Sequence, residues 1–235
     1  MTNNKVEIQR DDLDYRSNEA YKALRTNIQF CGDDIKVISL TSCTPNEGKS
    51  SISFNMAMSF VDNGKRVVIV DADLRKSVLI ARYKVGKICC GLTHYLSGQN
   101  ELEDTIHHTD VENLDIIFCG SYSPNPAELL SHVRFEAMLN KLREEYDYII
   151  IDTPPLGSVI DGAIVAKSVD GAIIVIEANA ISYRFAQNVK EQLDKTNCRI
   201  LGVVMNKVPM DRKKYYGKYY GKYYSKYYGT YGKEN

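Results

Sequence analysis

Short apolar runs recur along the middle of the chain at 37–41, 67–70, 114–118, 148–151, 172–176 and 200–205. Between them lie stretches with helical spacing at 50–63, 127–145, 161–167 and 183–196. Several of the runs are continuously apolar instead of alternating, which marks strands buried on both faces of a parallel sheet. The repeated strand–helix rhythm predicts an α/β fold, a doubly wound, mainly parallel sheet. Both ends depart from the rhythm. Residues 17–30 read as an amphipathic helix ahead of the first strand. Residues 211–235 form a low-complexity repeat of the type Tyr-Tyr-Gly-Lys, with no aliphatic side chain from which to build a core, and read as a disordered tail. The expected division is therefore a helical segment over 1–34, an α/β domain over 35–210 and a tail over 211–235.

Composition sharpens this picture at one point. The chain of 235 residues carries 30 basic and 30 acidic side chains, which cancel. From Asp211 onward, however, seven Lys or Arg face two acids, so the tail carries +5 and the other 210 residues carry −5. No apolar run approaches the roughly 18–20 residues a bilayer span requires, and the polar start is no signal peptide. A cytoplasmic protein is expected, with any association at the membrane's inner face coming through a partner or through surface electrostatics. The six Cys show no Cys-x-x-Cys pair, so neither a zinc site nor a disulfide framework is expected.

The candidate chemistry begins after the first long run. Residues 37–41 lead into Ser42-Cys43-Thr44-Pro45-Asn46-Glu47-Gly48-Lys49-Ser50-Ser51 and then a helix, the strand–loop–helix setting of a phosphate loop. Backbone N–H groups and the helix N-terminus would cradle phosphates, Lys49 would reach the β and γ oxygens, and the Ser50 hydroxyl would face Mg²⁺. The usual signature has Gly where this chain has Cys43, and Gly-Lys alone also fits an ordinary turn before a helix. Two further elements favour the phosphate loop. Val70-Asp71-Ala72-Asp73-Leu74-Arg75 and Ile151-Asp152-Thr153-Pro154-Pro155 each place carboxylates just beyond a buried run. Singly, such acids often cap helices. Together, in a parallel sheet, they would meet at the edge where ligands bind. Three acids, a Lys, a Ser and an Arg there describe a site for Mg²⁺ and ATP.

The phosphate loop, the Asp-x-Asp-x-Arg element at 71–75 and the Asp-x-x-Pro element at 152–155 resemble those of the bacterial tyrosine kinases, the autokinases of capsular and exopolysaccharide synthesis. The likeness covers nearly the whole chain, including the tyrosine cluster and the segment 124–130. It implies a P-loop fold of the partition and cell-division ATPase type. It also implies that Asp71 accepts the tyrosine proton while Lys49, Asp73 and Arg75 serve the transfer. Glu47, Gly48, Lys49, Ser50, Ser51 and Asn206 would hold the nucleotide, Asn206-Lys207 lying where related folds contact adenine. Ser50, Asp73 and Asp152 would stand on the metal side. The acceptors would be Tyr215, Tyr216, Tyr219, Tyr220, Tyr223, Tyr224, Tyr227, Tyr228 and Tyr231. Glu19, Lys22 and Arg25 match the family's Glu-x-x-Arg-x-x-Arg oligomerisation motif except that Lys replaces the first Arg, and Lys lacks the bidentate fork. A solvated helix face with i,i+3 pairs explains the same three residues. The implied partners are further copies of the chain, a membrane adaptor of the polysaccharide chain-length regulator type and a phosphotyrosine phosphatase.

Two other readings share parts of this pattern. A partition-type switch ATPase uses the same fold but typically carries a signature lysine at the place of Thr44, and has no use for nine tail tyrosines. A basic, aromatic tail also suits nucleic-acid binding by charge and stacking. The kinase reading accounts for both the site and the tail, so no nucleic acid is expected as a partner.

Overall fold

The structure, a computed structural model, describes residues 5–9 and 12–209. The runs read as strands are strands. They are β2 (Val37–Ser42), β3 (Val67–Asp71), β5 (Leu114–Ile117), β6 (Tyr148–Asp152), β7 (Gly171–Glu177) and β8 (Ile200–Asn206). Two short strands, β1 (Lys5–Val6) and β4 (His107–Thr109), join them. The sheet order is β1-β4-β5-β3-β6-β2-β7-β8. Every pairing is parallel except that of β4 with β5.

Continuous apolarity has the expected cause. Ile38, Leu40, Val67, Ile69 and Ile150 point into the core on one face, where α1 (Tyr15–Gln29) and α2 (Lys49–Val61) lie. Val37, Val68, Val70, Ile149 and Ile151 point into the core on the other, beneath α7 (Val133–Glu145). A third cluster joins Ala172 and Ile174 of β7 to Val189 and Leu193 of α9 (Tyr183–Asp194). Helix α2 buries residues around most of its circumference because the sheet covers one side and α1 the other. The N-terminal segment is not a separate body: Ile8 and Ile28 are buried in the same core, and the Ile8 N–H donates to the Asp110 carboxylate at 3.0 Å.

One expected helix is two. The stretch 127–145 divides into α6 (Pro126–Leu130) and α7, separated by Ser131 and His132. His132 leaves helical geometry and its ring accepts from the Arg134 N–H at 3.3 Å, starting α7 afresh with a side-chain cap. Pro126 stands at the first position of α6, where its missing N–H costs nothing. The remaining helices are α3 (Leu79–Arg82), α4 (Leu92–Leu96), α5 (Leu102–Thr105) and α8 (Asp161–Ala166). Among the described residues no helix is long and apolar enough to cross a membrane.

Candidate nucleotide and phosphoryl-transfer site

Strands β3, β6 and β2 are neighbours and run parallel, so their carboxyl ends deliver Asp71, Asp152 and the loop 43–48 to one edge. Asp71 and Asp152 are register partners across β3 and β6. The loop turns into α2 at Gly48, whose φ of +88° lies in the left-handed region. A Cβ there would come within 2.1 Å of the Asn206 amide nitrogen, so glycine is required twice over, by conformation and by space.

The loop is braced from the β7–β8 side. Glu47 is buried, and its carboxylate accepts from the Thr44 N–H at 2.8 Å and the Glu177 N–H at 3.2 Å. Asn206 donates to the Glu47 carbonyl at 2.8 Å. Lys207 donates to the Asn46 carbonyl at 2.7 Å and pairs with Glu177 at 2.8 Å. Asn206 and Lys207 thus hold the loop's outer arm. Cys43, at the usual glycine position, is fully buried, and burial followed by the nearby Glu47 charge pushes its thiol up to about 11. It is an inert packing residue.

At the floor of the site Lys49 pairs with Asp152 at 2.6 Å, both nearly inaccessible. The same Asp152 oxygen accepts from Ser53 at 3.0 Å, and the Lys49 ammonium lies 3.3 Å from the Ser50 hydroxyl. Asp71 is wholly buried. Burial first, then the Asp152 charge, pushes its carboxyl up to about 7, against the opposing pull of a hydrogen bond from Ser77 and the Lys49 charge. A carboxyl poised there is suited to exchanging a proton near neutrality. The Ser77 hydroxyl donates to the Asp71 Oδ2 in a short contact. Asp73 is half-buried, its carboxylate accepting from the Lys76 N–H at 2.9 Å and the Arg75 N–H at 3.3 Å.

The structure brings together Lys49, Ser50, Asp71 and Asp152, but it holds the Arg75 side chain apart. That guanidinium makes a bidentate pair with the buried Asp161 carboxylate, at 2.7 and 3.0 Å. Glu19 and Lys22 form an exposed i,i+3 pair at 2.8 Å, while Arg25 turns inward and donates to the Ser59 carbonyl on α2. The nine tail tyrosines lie outside the described residues. Three residues that complete the network carried no local motif. Ser53 sits one helical turn beyond Lys49, a spacing that puts both on one face. Ser77 and Asp161 reach the site from irregular chain and from a short helix, where periodicity says nothing.

For a metal, no group of three His, Cys, Asp or Glu side chains is assembled among the described residues. The oxygens at hand on Ser50, Asp73 and Asp152 are hard donors, which suits a Mg²⁺ that keeps waters and shares phosphate ligands.

Strand, loop and helix with a buried Lys–Asp pair beneath them define a P-loop nucleotide-binding domain, and residues 35–201 match the family model described as an AAA domain. Tyrosine-protein kinase CpsD of Streptococcus pneumoniae serotype 4 is 42% identical over 212 residues, 89% of this chain and 93% of that protein. The kinase domain of Escherichia coli tyrosine kinase ETK superposes with a TM-score of 0.76 at 30% identity, over 82% of this chain and 77% of the other. The septum site-determining protein MinD of Pyrococcus horikoshii, complexed with Mg-ADP, superposes with a TM-score of 0.65 at 25% identity, over 77% and 72% of the two chains. The chain belongs to the bacterial tyrosine kinases.

Proposed function

We propose that the chain is an ATP-dependent protein-tyrosine autokinase that modifies its own C-terminal tyrosine cluster and thereby regulates capsular or exopolysaccharide synthesis. The observation that carries the site is the meeting of Lys49, Asp152 and the buried Asp71 at adjacent parallel strand ends. The backbone of loop 43–48, together with Gly48, Ser50 and Ser51, cradles the phosphates, with Glu47 and Asn206 keeping the loop in shape. Lys49 leaves Asp152 for the β and γ oxygens and offsets charge as the phosphoryl group moves. Asp71 takes the proton of the acceptor phenol. The new bond joins the tyrosine oxygen to the γ phosphorus, the bond to the β,γ-bridging oxygen breaks, and ADP leaves. Ser50, Asp73 and Asp152 would hold Mg²⁺ directly or through water, and the ion would supply charge neutralisation of the triphosphate. Arg75 contributes only after parting from Asp161.

Residues 35–210 form the kinase domain and 211–235 the acceptor tail, while 1–34 carries the assembly motif of Glu19, Lys22 and Arg25. Envelope polysaccharide is made at a membrane, and no described helix is fit to span one. In this reading a membrane adaptor of the polysaccharide chain-length regulator type anchors and activates the chain at the inner face, and a phosphotyrosine phosphatase resets it. The test is incubation of the purified protein with Mg·ATP and mass mapping of residues 211–235. Phosphotyrosine in the wild type and none in Lys49→Met is expected. Equal modification of both overturns the assignment.

A further inference from the structure

Along the carboxyl edge of the sheet the phosphate loop follows β2, Asp152 ends β6 and Asp71 ends β3. The next strand beyond Asp71, away from the nucleotide, is β5. An acceptor must approach Asp71 from the side that the nucleotide does not fill, and that is the side of the loop after β5. There the structure has a cavity of about 350 Å³, lined among others by His94, Ser97, Ser121, Asn125 and Glu128, with Tyr122 and Leu129 as its apolar wall. Its size falls in the range of small-ligand pockets.

The cavity is built, not incidental. The Leu92 and Thr93 N–H groups at the start of α4 donate to the Phe118 and Cys119 carbonyls, at 2.7 and 2.9 Å. A Cβ on Gly91 would strike the Phe118 carbonyl oxygen at 2.3 Å, and one on Gly120 would strike the Thr93 hydroxyl at 2.5 Å. This close approach fixes His94 against the loop. The Gly91 N–H donates to His94 Nδ1 at 3.0 Å, so the neutral ring carries its proton on Nε2. That N–H donates in turn to the Ser121 oxygen, 3.0 Å away, which leaves the Ser121 hydroxyl hydrogen free for a ligand. Glu128 adds a carboxylate acceptor, and among the described residues no Lys or Arg lines the cavity, the Arg75 charge near Tyr122 being held by Asp161. A donor hydroxyl beside an acceptor, with an apolar wall and without a cation, suits a neutral phenol and does not suit an anion.

Building on the kinase reading, we propose that this cavity is an acceptor subsite that holds the tyrosine next to the one being phosphorylated on the C-terminal tail. The tail offers Tyr-Tyr pairs four times, at 215–216, 219–220, 223–224 and 227–228. Val70 and Ile117 are register partners, which sets Asp71 beside Phe118, and three residues of chain, at most about 11 Å, lead from there to Ser121. Phenols on adjacent residues span such a gap, one at Asp71 and one in the cavity. Strand β8 lies five strand spacings or about 24 Å from β5, a span that the roughly 25 residues after it can cover. A phosphate on the neighbouring tyrosine adds about −1.5 to −2 and faces Glu128, while the nearby Arg75 is already paired with Asp161, so a modified pair is released.

The experiment uses full-length chains throughout. Donors are wild type, Ser121→Ala and His94→Gln. One acceptor is the Lys49→Met chain, and the other is the same chain with Tyr216, Tyr220, Tyr224 and Tyr228 changed to Phe. Loss of one hydrogen bond is expected to raise the KM for the paired acceptor about fivefold in Ser121→Ala. The KM for ATP should shift less than twofold, and the Ser121→Ala effect should vanish against the Phe-substituted acceptor. His94→Gln, which retains a donor, should fall between. An equal effect on both acceptors, no effect on either, or an effect on the KM for ATP overturns the subsite while leaving the kinase reading standing. No phosphotyrosine from the wild-type donor on any acceptor overturns the kinase reading and the subsite with it.

Discussion

Two ion pairs of nearly equal length lie in very different parts of the molecule. Lys49–Asp152, at 2.6 Å, is sealed beneath the phosphate loop with 7% and 2% of the side chains accessible. Glu19–Lys22, at 2.8 Å, stands on the outer face of α1 with about half of each side chain in water. In the first, neither charge has solvent to fall back on, so the pair and its Ser53 hydrogen bond hold the edge in one arrangement. In the second, water and salt replace the partner at little cost. The difference leaves the sheet edge fixed by its buried charges and the α1 face as a solvated surface.

The largest expected effect comes from breaking the buried pair. Lys49→Met should lower phosphoryl transfer by about 10³-fold or more, as removal of a positioned transition-state charge does elsewhere. It also leaves Asp152 buried with only Ser53, so thermal unfolding should show the variant destabilised relative to wild type, by about 3–5 kcal/mol. Gly48→Ala comes next. The left-handed φ and the 2.1 Å approach to Asn206 should displace the loop, with nucleotide affinity down about tenfold or more by titration calorimetry.

An intermediate case sharpens the contrast. Asp170 forms a bidentate pair with Arg143, at 2.6 and 2.9 Å, and accepts from the Val37 and Lys36 N–H groups at 2.7 and 2.9 Å. Burial alone would raise its carboxyl. The Arg143 and backbone hydrogen bonds overcome that, and the net shift is downward. A lowered folded value means stability fully present above the unfolded value of about 3.9 and lost as pH falls through the folded one. Arg143→Met should therefore cost about 1–2 kcal/mol at pH 7 and flatten the acid limb of the stability profile, read by urea titration between pH 2 and 7. The smallest effect is that of Glu19→Gln, within about 0.5 kcal/mol on the unfolding of the isolated chain. The same variant tests the assembly motif by sedimentation: a shifted oligomer distribution at unchanged stability supports an interface on α1, and an unchanged one removes it.

What the sequence disclosed follows the same division. Strands buried on both faces announce themselves as apolar runs, so β2, β3, β6 and β7 and the acids at their ends were legible, and with them most of the site. The two-residue β1, the three-residue β4 and the short helices α3, α4 and α5 carry too few positions for a period to show. The break at Ser131 and His132 was hidden because α6 and α7 both follow helical spacing, and only the His132 cap separates them. Ser77 and Asp161 were invisible for another reason. They act through tertiary contact with Asp71 and Arg75, which no local pattern encodes. The inward turn of Arg25 onto Ser59 likewise depends on how α1 lies over α2.

The central claim is that Asp71, buried at the end of β3, takes the proton in tyrosine phosphorylation. Intact-mass measurement of Asp71→Asn after Mg·ATP, paired with ATP binding by the same sample, tests it most directly. ATP should bind with wild-type affinity to within about threefold, with no phosphotyrosine in residues 211–235, a loss of about 10²-fold or more in rate. Tail phosphorylation at the wild-type rate in Asp71→Asn would contradict it.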